Sequence, residues 1–420
     1  MAPKRVLNPK PLFDEPLLTE AFTQAGIKPH HITKLYRLFL QQNITSYSQI
    51  PELPRAALEI LEKEFTVMTS KIISRTDAAD GSTTKLLVEL QDGQRIESVI
   101  MRYGDVVLDQ FPEEEKRKLQ VGEGGEVSFR SNKRATLCVS SQVGCAMGST
   151  GTMGLLTNLS PGEILEQLIH ANTVEKIRNI VFMGMGEPLD NYDAVLASIR
   201  SMTDTSRFGL SPHRISVSTV GVIPRIHALQ RDVPDIGLAL SLHAPTQELR
   251  TEIVPTAKAW PIHRILEATD SFIANQNKKI KSHNRRKHVL VEYVLIKDVN
   301  DSVEVAHQLG SLLKGRDVLL NVIPYNPTDV PHDYHPPTTE AKTTFVDIVR
   351  NEYGVHTLLR QTLGQDVSSA CGQLVIDSQK NVKGSGCESE GKHVKAKTSS
   401  NGVADLEDLM GGGSKERVLP

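Results

Sequence analysis

Between residues 15 and about 72, apolar positions recur every three or four residues. Leu17, Leu18, Ala21, Phe22 and Ala25 form one stripe, and Ile32, Leu35, Tyr36, Leu38 and Phe39 form a second. This is the spacing of helices that bury one face. Turn signals at Gly26-Ile-Lys-Pro29 and Pro51-Glu-Leu-Pro54 divide the segment into short helices. From Lys71 the period changes. Leu86-Leu-Val-Glu-Leu90, a turn at Gly93 and Ile96-Glu97-Ser98-Val99-Ile100-Met101 predict a β-hairpin. The stretch 103–132 is polar and Gly-rich, with the mixed-charge run Glu113-Glu-Glu-Lys-Arg-Lys118, and reads as a surface loop.

From Ala135 to about Leu363 apolar strands alternate with amphipathic stretches. The predicted strands are 136–140, 179–183, 214–219, 236–242, 289–295 and 318–323, with helices at 161–171, 192–202, 224–229, 262–272 and 303–313. Such alternation implies a parallel sheet with right-handed crossovers. Six units fit an α/β fold of the partial (β/α)6 TIM type, whose chemistry belongs at the C-terminal ends of the strands. A doubly wound open sheet is the alternative. The expected organisation is a helical N-terminal domain, 1–72, that can contact RNA. A β-hairpin connector with its polar insertion, 73–132, a barrel, 133–376, and a disordered tail, 377–420, follow; the tail is rich in Gly, Ser, Lys and Glu and has little to bury.

Composition narrows the class. With 39% hydrophobic and 23% charged residues, the chain has the balance of a soluble globular protein. It lacks an apolar run of the roughly 18–20 residues that a membrane helix needs. Met1 to Lys10 shows no secretory-signal core, and four cysteines in 420 residues then suggest a reducing compartment. The expectation is a cytoplasmic protein, with an organelle left open, and no membrane partner. A net charge of −2 decides nothing about nucleic acid. Locally, Lys278-Lys279-Ile-Lys281-Ser-His-Asn-Arg285-Arg286-Lys287 holds six cations and no acid. It is either a phosphate-tracking run or a solvated loop.

The predicted strand ends carry unusual residues. Asn179-Ile-Val-Phe-Met183-Gly-Met-Gly186-Glu187-Pro-Leu189 runs a strand into glycines and a carboxylate, where backbone can approach a ligand and an ammonium can be held. A plain β-to-α turn accounts equally well for it. Ser216-Val-Ser218-Thr219 and Ser241-Leu242-His243-Ala244 end two further strands in polar groups, and Asn321-Val-Ile-Pro-Tyr-Asn326-Pro327 closes the last. A lone histidine at a strand end is more often packed than catalytic, but successive polar ends favour a ligand site.

Five blocks in order carry a family resemblance: Arg134-Ala-Thr-Leu-Cys138-Val-Ser-Ser-Gln-Val-Gly-Cys145, Met183 to Leu189, Ser241 to Ala244, Ile323 to Pro327, and Ala370-Cys371-Gly-Gln-Leu374. The chain resembles the radical-SAM adenine-C2 RNA methyltransferases of the RlmN/Cfr family over about residues 15–376. The resemblance implies S-adenosylmethionine and a [4Fe-4S] cluster as cofactors. It also implies large-subunit rRNA, and tRNA as a second substrate, an electron donor such as ferredoxin or flavodoxin, and a monomeric chain. By the resemblance, Gly186, Glu187, Ser218, Ser241, Leu242, His243 and Asn326 hold S-adenosylmethionine. Cys371 is the cysteine methylated on sulfur, Cys138 its partner thiol, Glu97 the proton acceptor and Cys145 a cluster ligand. Without it, Cys138 reads as a small core residue and Cys371 as a loop thiol.

One departure stands out. After the residue matching Cys145 the family continues as C-x3-C-x2-C, then a small residue, Thr and Gly, whereas here Gly148 leads directly into Ser149-Thr150-Gly151. Four residues carrying two cluster cysteines are absent, and a serine hydroxyl is a poor substitute for thiolate at iron. Either twelve nucleotides have been lost from the coding sequence, or the chain is a cluster-less paralogue that binds RNA or S-adenosylmethionine without radical turnover.

Overall fold

The computed structural model describes residues 5–42, 44, 46–50, 53–103, 134–144, 155–278, 280, 286–326 and 334–360. Cys145, Cys371, nearly all of the polar insertion and the tail lie outside the described residues.

The N-terminal stripes fold as helices Glu15–Gln24, His30–Gln42 and Arg55–Glu64. Short strands β1 (Lys10–Pro11) and β2 (Phe65–Thr66) pair in parallel at their base. Leu18, Phe22, Leu35, Tyr36, Phe39 and Leu61 are buried together, as the spacing predicts. This unit is fastened to the rest of the chain by Arg207, which donates to both Glu15 carboxylate oxygens at 2.7 and 2.6 Å and lies over the Tyr36 ring.

The predicted hairpin is three-stranded: β3 (Lys71–Asp77), β4 (Thr83–Glu89) and β5 (Arg95–Tyr103) run antiparallel. β5 then pairs antiparallel with β6 (Arg134–Cys138), so the connector extends the main sheet instead of standing apart from it. After β6 come a two-stranded antiparallel ribbon, β7 (Gln142–Gly144) and β8 (Leu155–Asn158), and then β9 (Ile177–Phe182), β10 (Ile215–Thr219), β11 (Gly237–Ser241), β12 (Val289–Leu295), β13 (Val318–Pro324) and β14 (Thr357–Leu359). The ten-stranded sheet runs β14-β13-β12-β11-β10-β9-β6-β5-β4-β3, and its pairings from β6 to β14 are parallel. All six predicted strands are present, and β14, too short for periodicity to reveal, adds a seventh parallel member. The helices between them, Pro161–Val174, Tyr192–Thr203, Ile223–Asp232, Ile262–Asn277 and Val303–Leu313, lie where the amphipathic stretches predict. Among the described residues no helix is long and apolar enough to cross a membrane.

Strand alternation separates two faces. Leu238, Leu240, Val289, Val291, Tyr293, Leu295, Leu320 and Val322 join the large core beneath the helices, while Ala239, Leu290 and Leu319 form a separate apolar cluster with Met183 and Leu358 on the other face. That second face is the inner one. It carries the polar strand ends.

The helix Pro161–Val174 starts with a capping box, Ser160 against Glu163, and Pro at its first turn, which fixes where its first residues meet the sheet. One turn further on, buried Gln167 accepts from Ser98 Oγ at 2.8 Å and from the Ser140 N–H at 2.9 Å, and donates to the Ser140 carbonyl at 2.9 Å. A single amide thus ties β5 and the exit of β6 to the helix. Gln167→Leu leaves buried Ser140 backbone groups unmet and is expected to lower unfolding free energy by about 2–4 kcal/mol, measured as the shift of the urea midpoint at constant slope.

Candidate cofactor and catalytic site

The turn after β9 is pressed against the segment after β6. Gly184 N–H donates to the Val139 carbonyl at 3.1 Å, both Ser141 and Gln142 N–H groups donate to the Met185 carbonyl, and Met185 N–H donates to Ser140 Oγ at 3.0 Å. A Cβ on Gly184 would stand 2.7 Å from the Val139 carbonyl carbon and oxygen, and one on Gly186 would stand 2.5 Å from Gln142 Cβ. Gly186 also has φ +98°, which side chains other than glycine rarely adopt. The glycines of this block are therefore required by contact as well as by conformation.

Glu187 closes the turn. Its N–H donates to Gln142 Oε1 at 2.9 Å, and its two carboxylate oxygens accept from the Leu189 and Val220 N–H groups, each at 2.9 Å. It is 3% exposed. Burial pushes its pKa up to about 7 although both N–H donors favour the ionised form. A carboxylate so placed gains most from a cationic partner.

Next along the sheet, Ser218 on β10 and Ser241 on β11 bring their hydroxyls within 3.2 Å of each other. The segment after β11 is held from behind. Buried Arg250 donates to the Leu242, Ser241 and Val220 carbonyls at 3.1, 3.2 and 2.5 Å, and Asn300 donates to the His243 and Val294 carbonyls. His243 has φ +60°, and its Nδ1 accepts from the Val294 N–H at 3.1 Å. Burial, with the nearby Arg250 charge, lowers its pKa to about 3. The ring is accordingly neutral with its proton on Nε2, a fixed donor. Leu242 is fully buried in the main core, so its contribution to a ligand is through the backbone. Asn326 is half-buried, two residues beyond the end of β13.

Cys138 is fully buried at the end of β6. It pairs in register with Val99 on β5 and Val181 on β9, and Val181 shares a face with Met183, two residues on and packed against the inner cluster, so the thiol leaves the sheet on the inner face. Glu97, two residues from Val99, shares that face and is 3% exposed, with Lys85 Nζ 3.5 Å from its Oε1. Glu97, Cys138, Ser218 and Ser241 are thus brought to one side of one sheet, and Glu187 to its rim. Cys145 and Cys371 lie outside the described residues.

No protein-family model matches the chain. Among curated relatives, ribosomal RNA large subunit methyltransferase N of Nitrosopumilus maritimus is 38% identical over 340 residues, 79% of this chain and 88% of the relative. A dual-specificity RNA methyltransferase RlmN of Myxococcus xanthus is 34% identical over 368 residues, 86% of this chain and 92% of the relative. The chain belongs to the RlmN family. A crystal structure of a radical SAM methyltransferase from Sphaerobacter thermophilus superposes with TM-score 0.71 at 31% identity, covering 86% of this chain and 98% of that one. RlmN membership accounts for the mostly parallel sheet and for the order of the five sequence blocks.

Two features of the site differ from what sequence alone suggests. Of the basic run, residues 279 and 281–285 lie outside the described residues, and two of the described cations are engaged: Arg286 with Asp317 at 2.6 Å, and buried Lys287 with His213 Nδ1 at 3.0 Å. Conversely, Lys85, Arg250 and Asn300 stand in or behind the site and no motif singles them out. Arg250 and Asn300 belong to helix and loop segments whose pattern reads as ordinary, and only the fold brings them under β11.

Glu187 fixes a pH dependence. Its folded pKa lies above its unfolded value of 4.5, so its stabilising contribution is complete below about pH 4.5 and is lost as pH rises through about 7. His243, with a depressed pKa, slopes the other way, its contribution being lost as pH falls below its ordinary 6.5 towards 3. The difference between the wild type and Glu187→Gln isolates the first effect. In the ligand-free chain, wild-type unfolding free energy is expected to fall relative to Glu187→Gln by on the order of 2–3 kcal/mol between pH 4.5 and 8, read from denaturant titrations across that range.

Proposed function

We propose that this chain methylates C2 of an adenine in large-subunit rRNA, with tRNA as a second substrate, using S-adenosylmethionine. The observation that carries the reading is the convergence of a carboxylate, a thiol and a polar ligand wall on the inner face of one sheet. Adenine C2 is not a nucleophile, so direct transfer from a sulfonium does not reach it; a methyl group carried on a cysteine sulfur would reach it once a hydrogen atom is taken from that methyl, which is the chemistry that S-adenosylmethionine with the family's cluster would supply. In this reading Cys371 carries the methyl group. After the bond to C2 has formed, Glu97 would accept the C2 proton, and the Cys138 thiolate would attack the Cys371 sulfur, forming a disulfide as the carbon–sulfur bond breaks and the released carbon takes a proton. Glu187 holds the ammonium of S-adenosylmethionine, Gly186 lets the backbone approach its methionyl end, and Ser218, Ser241 to His243 and Asn326 line the remainder. The buried, unpartnered side chain of Asn321 on this face suits a polar ligand of that kind. The adenine would have to leave its stack to present C2. A cytoplasmic, monomeric enzyme served by a ferredoxin- or flavodoxin-type donor completes the proposal.

The cluster does not fit the residues present. In the family it supplies the electron that opens the sulfonium. Among the described residues no group of three or more His, Cys, Asp or Glu could hold a metal ion, buried Cys138 is on β6, and the sequence offers Cys145 alone between Val139 and Ala370. One thiolate cannot replace three, so no step is assigned to the cluster here. This favours a second reading, a protein that binds S-adenosylmethionine and RNA without turnover in its present form.

Anaerobic reconstitution of two chains separates these readings. One is the chain as it stands, and the other has Cys-x-x-Cys inserted between Gly148 and Ser149. The second is expected to bind iron and sulfide and to form 2-methyladenosine in an rRNA fragment, detected by mass spectrometry, and the first to do neither above background. A repaired, cluster-loaded chain that methylates no adenine refutes the proposed function; equal turnover by the unrepaired chain refutes the reading of its loop.

A further inference from the structure

One polar layer on the inner face is larger than the motifs account for. Ser241, Glu292 and Asn321 are in-register neighbours on β11, β12 and β13, so their side chains leave the sheet on the same side. Ser218 leaves on that side too, being paired with Ala239, two residues before Ser241. Beneath them lie Ala239, Leu290 and Leu319 as an apolar floor.

The hydrogen bonds within the layer set its polarity. Ser218 Oγ donates to Glu292 Oε2 at 3.0 Å, and Ser241 Oγ lies 3.4 Å from the same oxygen and 3.2 Å from Ser218 Oγ. A hydroxyl has one proton. That of Ser218 goes to Glu292 and that of Ser241 to Glu292 or Ser218, so both are consumed inside the group. What the serines have left is lone pairs. Asn321, 1% exposed, has neither its amide nitrogen nor its oxygen bonded to any group among the described residues, an arrangement that suits a polar ligand.

We propose that Glu292 is a positioning residue of a ribose subsite: by taking the serine protons it makes Ser218 and Ser241 acceptors for a vicinal diol, and the Asn321 amide completes the far edge. The proposal rests on the reading of Ser218 and Ser241 as part of the S-adenosylmethionine site. Two acceptors within hydrogen-bond distance of each other match two adjacent O–H donors. Such a wall disfavours a ligand from which a hydroxyl has been removed, because an acceptor and part of the buried layer then stay unmet.

The test is binding by the full chain of S-adenosylmethionine, 5′-methylthioadenosine and the 2′-deoxy and 3′-deoxy forms of the latter. The wild type is expected to prefer the intact diol by about 10- to 100-fold, the range of a hydrogen bond involving a charged group. Glu292→Gln keeps the shape but can donate to the serines and free their protons; its preference is expected to fall to within about threefold, with an unchanged melting profile. An undiminished preference in Glu292→Gln overturns the proposal, as does a wild type that binds S-adenosylmethionine but ignores the missing hydroxyls. The underlying site reading fails separately, if Ser218→Ala and Ser241→Ala both leave S-adenosylmethionine affinity unaltered or if the wild type does not bind it. Should Glu292→Gln not fold, Asn321→Ala takes its place, with a reduced diol preference expected and an unchanged one overturning the proposal.

Discussion

The close approach of the turn after β9 to the segment after β6 is the constraint on which the site depends. Gly184 lies where its missing Cβ would meet the Val139 carbonyl, and the carbonyl of Met185 takes two N–H groups from Ser141 and Gln142. This contact sets the position of Glu187 and also of the strand end that carries Cys138. The Glu187 carboxylate and the Cys138 thiol are therefore placed by one piece of backbone packing, and Gln167 and Ser140 secure that piece to the helix layer and to β5. A side chain at Gly184 would disturb both groups together.

Around this contact the protein buries charge only where backbone dipoles or a ligand can meet it. Arg250 has carbonyl partners and no carboxylate among its hydrogen bonds, and its pKa falls to about 10 through burial. It stabilises strand ends instead of forming an ion pair. Glu187 has N–H partners and an elevated pKa, the arrangement of a group that a cation would complete. Glu166 shows the structural counterpart: it is also raised to about 7, yet it is satisfied by Thr69 and Ser70 on the connector and serves to hold β3 near the helix Pro161–Val174. Perturbation alone does not distinguish the two. Location at a strand end with glycines beside it does.

Much of the fold was legible because the chain states its period clearly. Strands such as Val289–Leu295 are apolar but for one residue, and helices such as Val303–Leu313 begin with a capping serine, Ser302. β14, three residues long, and the ribbon β7–β8 carry no such signal, and they form because an adjacent edge is available to pair with. Of the proposed site, the sequence marks those residues whose type is unusual at a strand end: Glu187 after glycines, Ser218, Ser241, His243 and Asn321. Glu292 was hidden, since it lies within an otherwise apolar strand and gains meaning only when the registers align it with Ser241 and Asn321. For the basic run at Lys278–Lys287, composition could not tell that Arg286 and Lys287 have partners.

The central claim is that the inner face at the strand C-terminal ends is the S-adenosylmethionine site. A crystal structure of the full chain with S-adenosylmethionine bound tests it most directly. The account predicts the methionyl ammonium at the Glu187 carboxylate, the ribose against Ser218 and Ser241, and His243 Nε2 facing the ligand. Density for the ligand at the opposite strand ends, beside Arg214 or Lys287, with the inner face unliganded at saturating concentration, would contradict it.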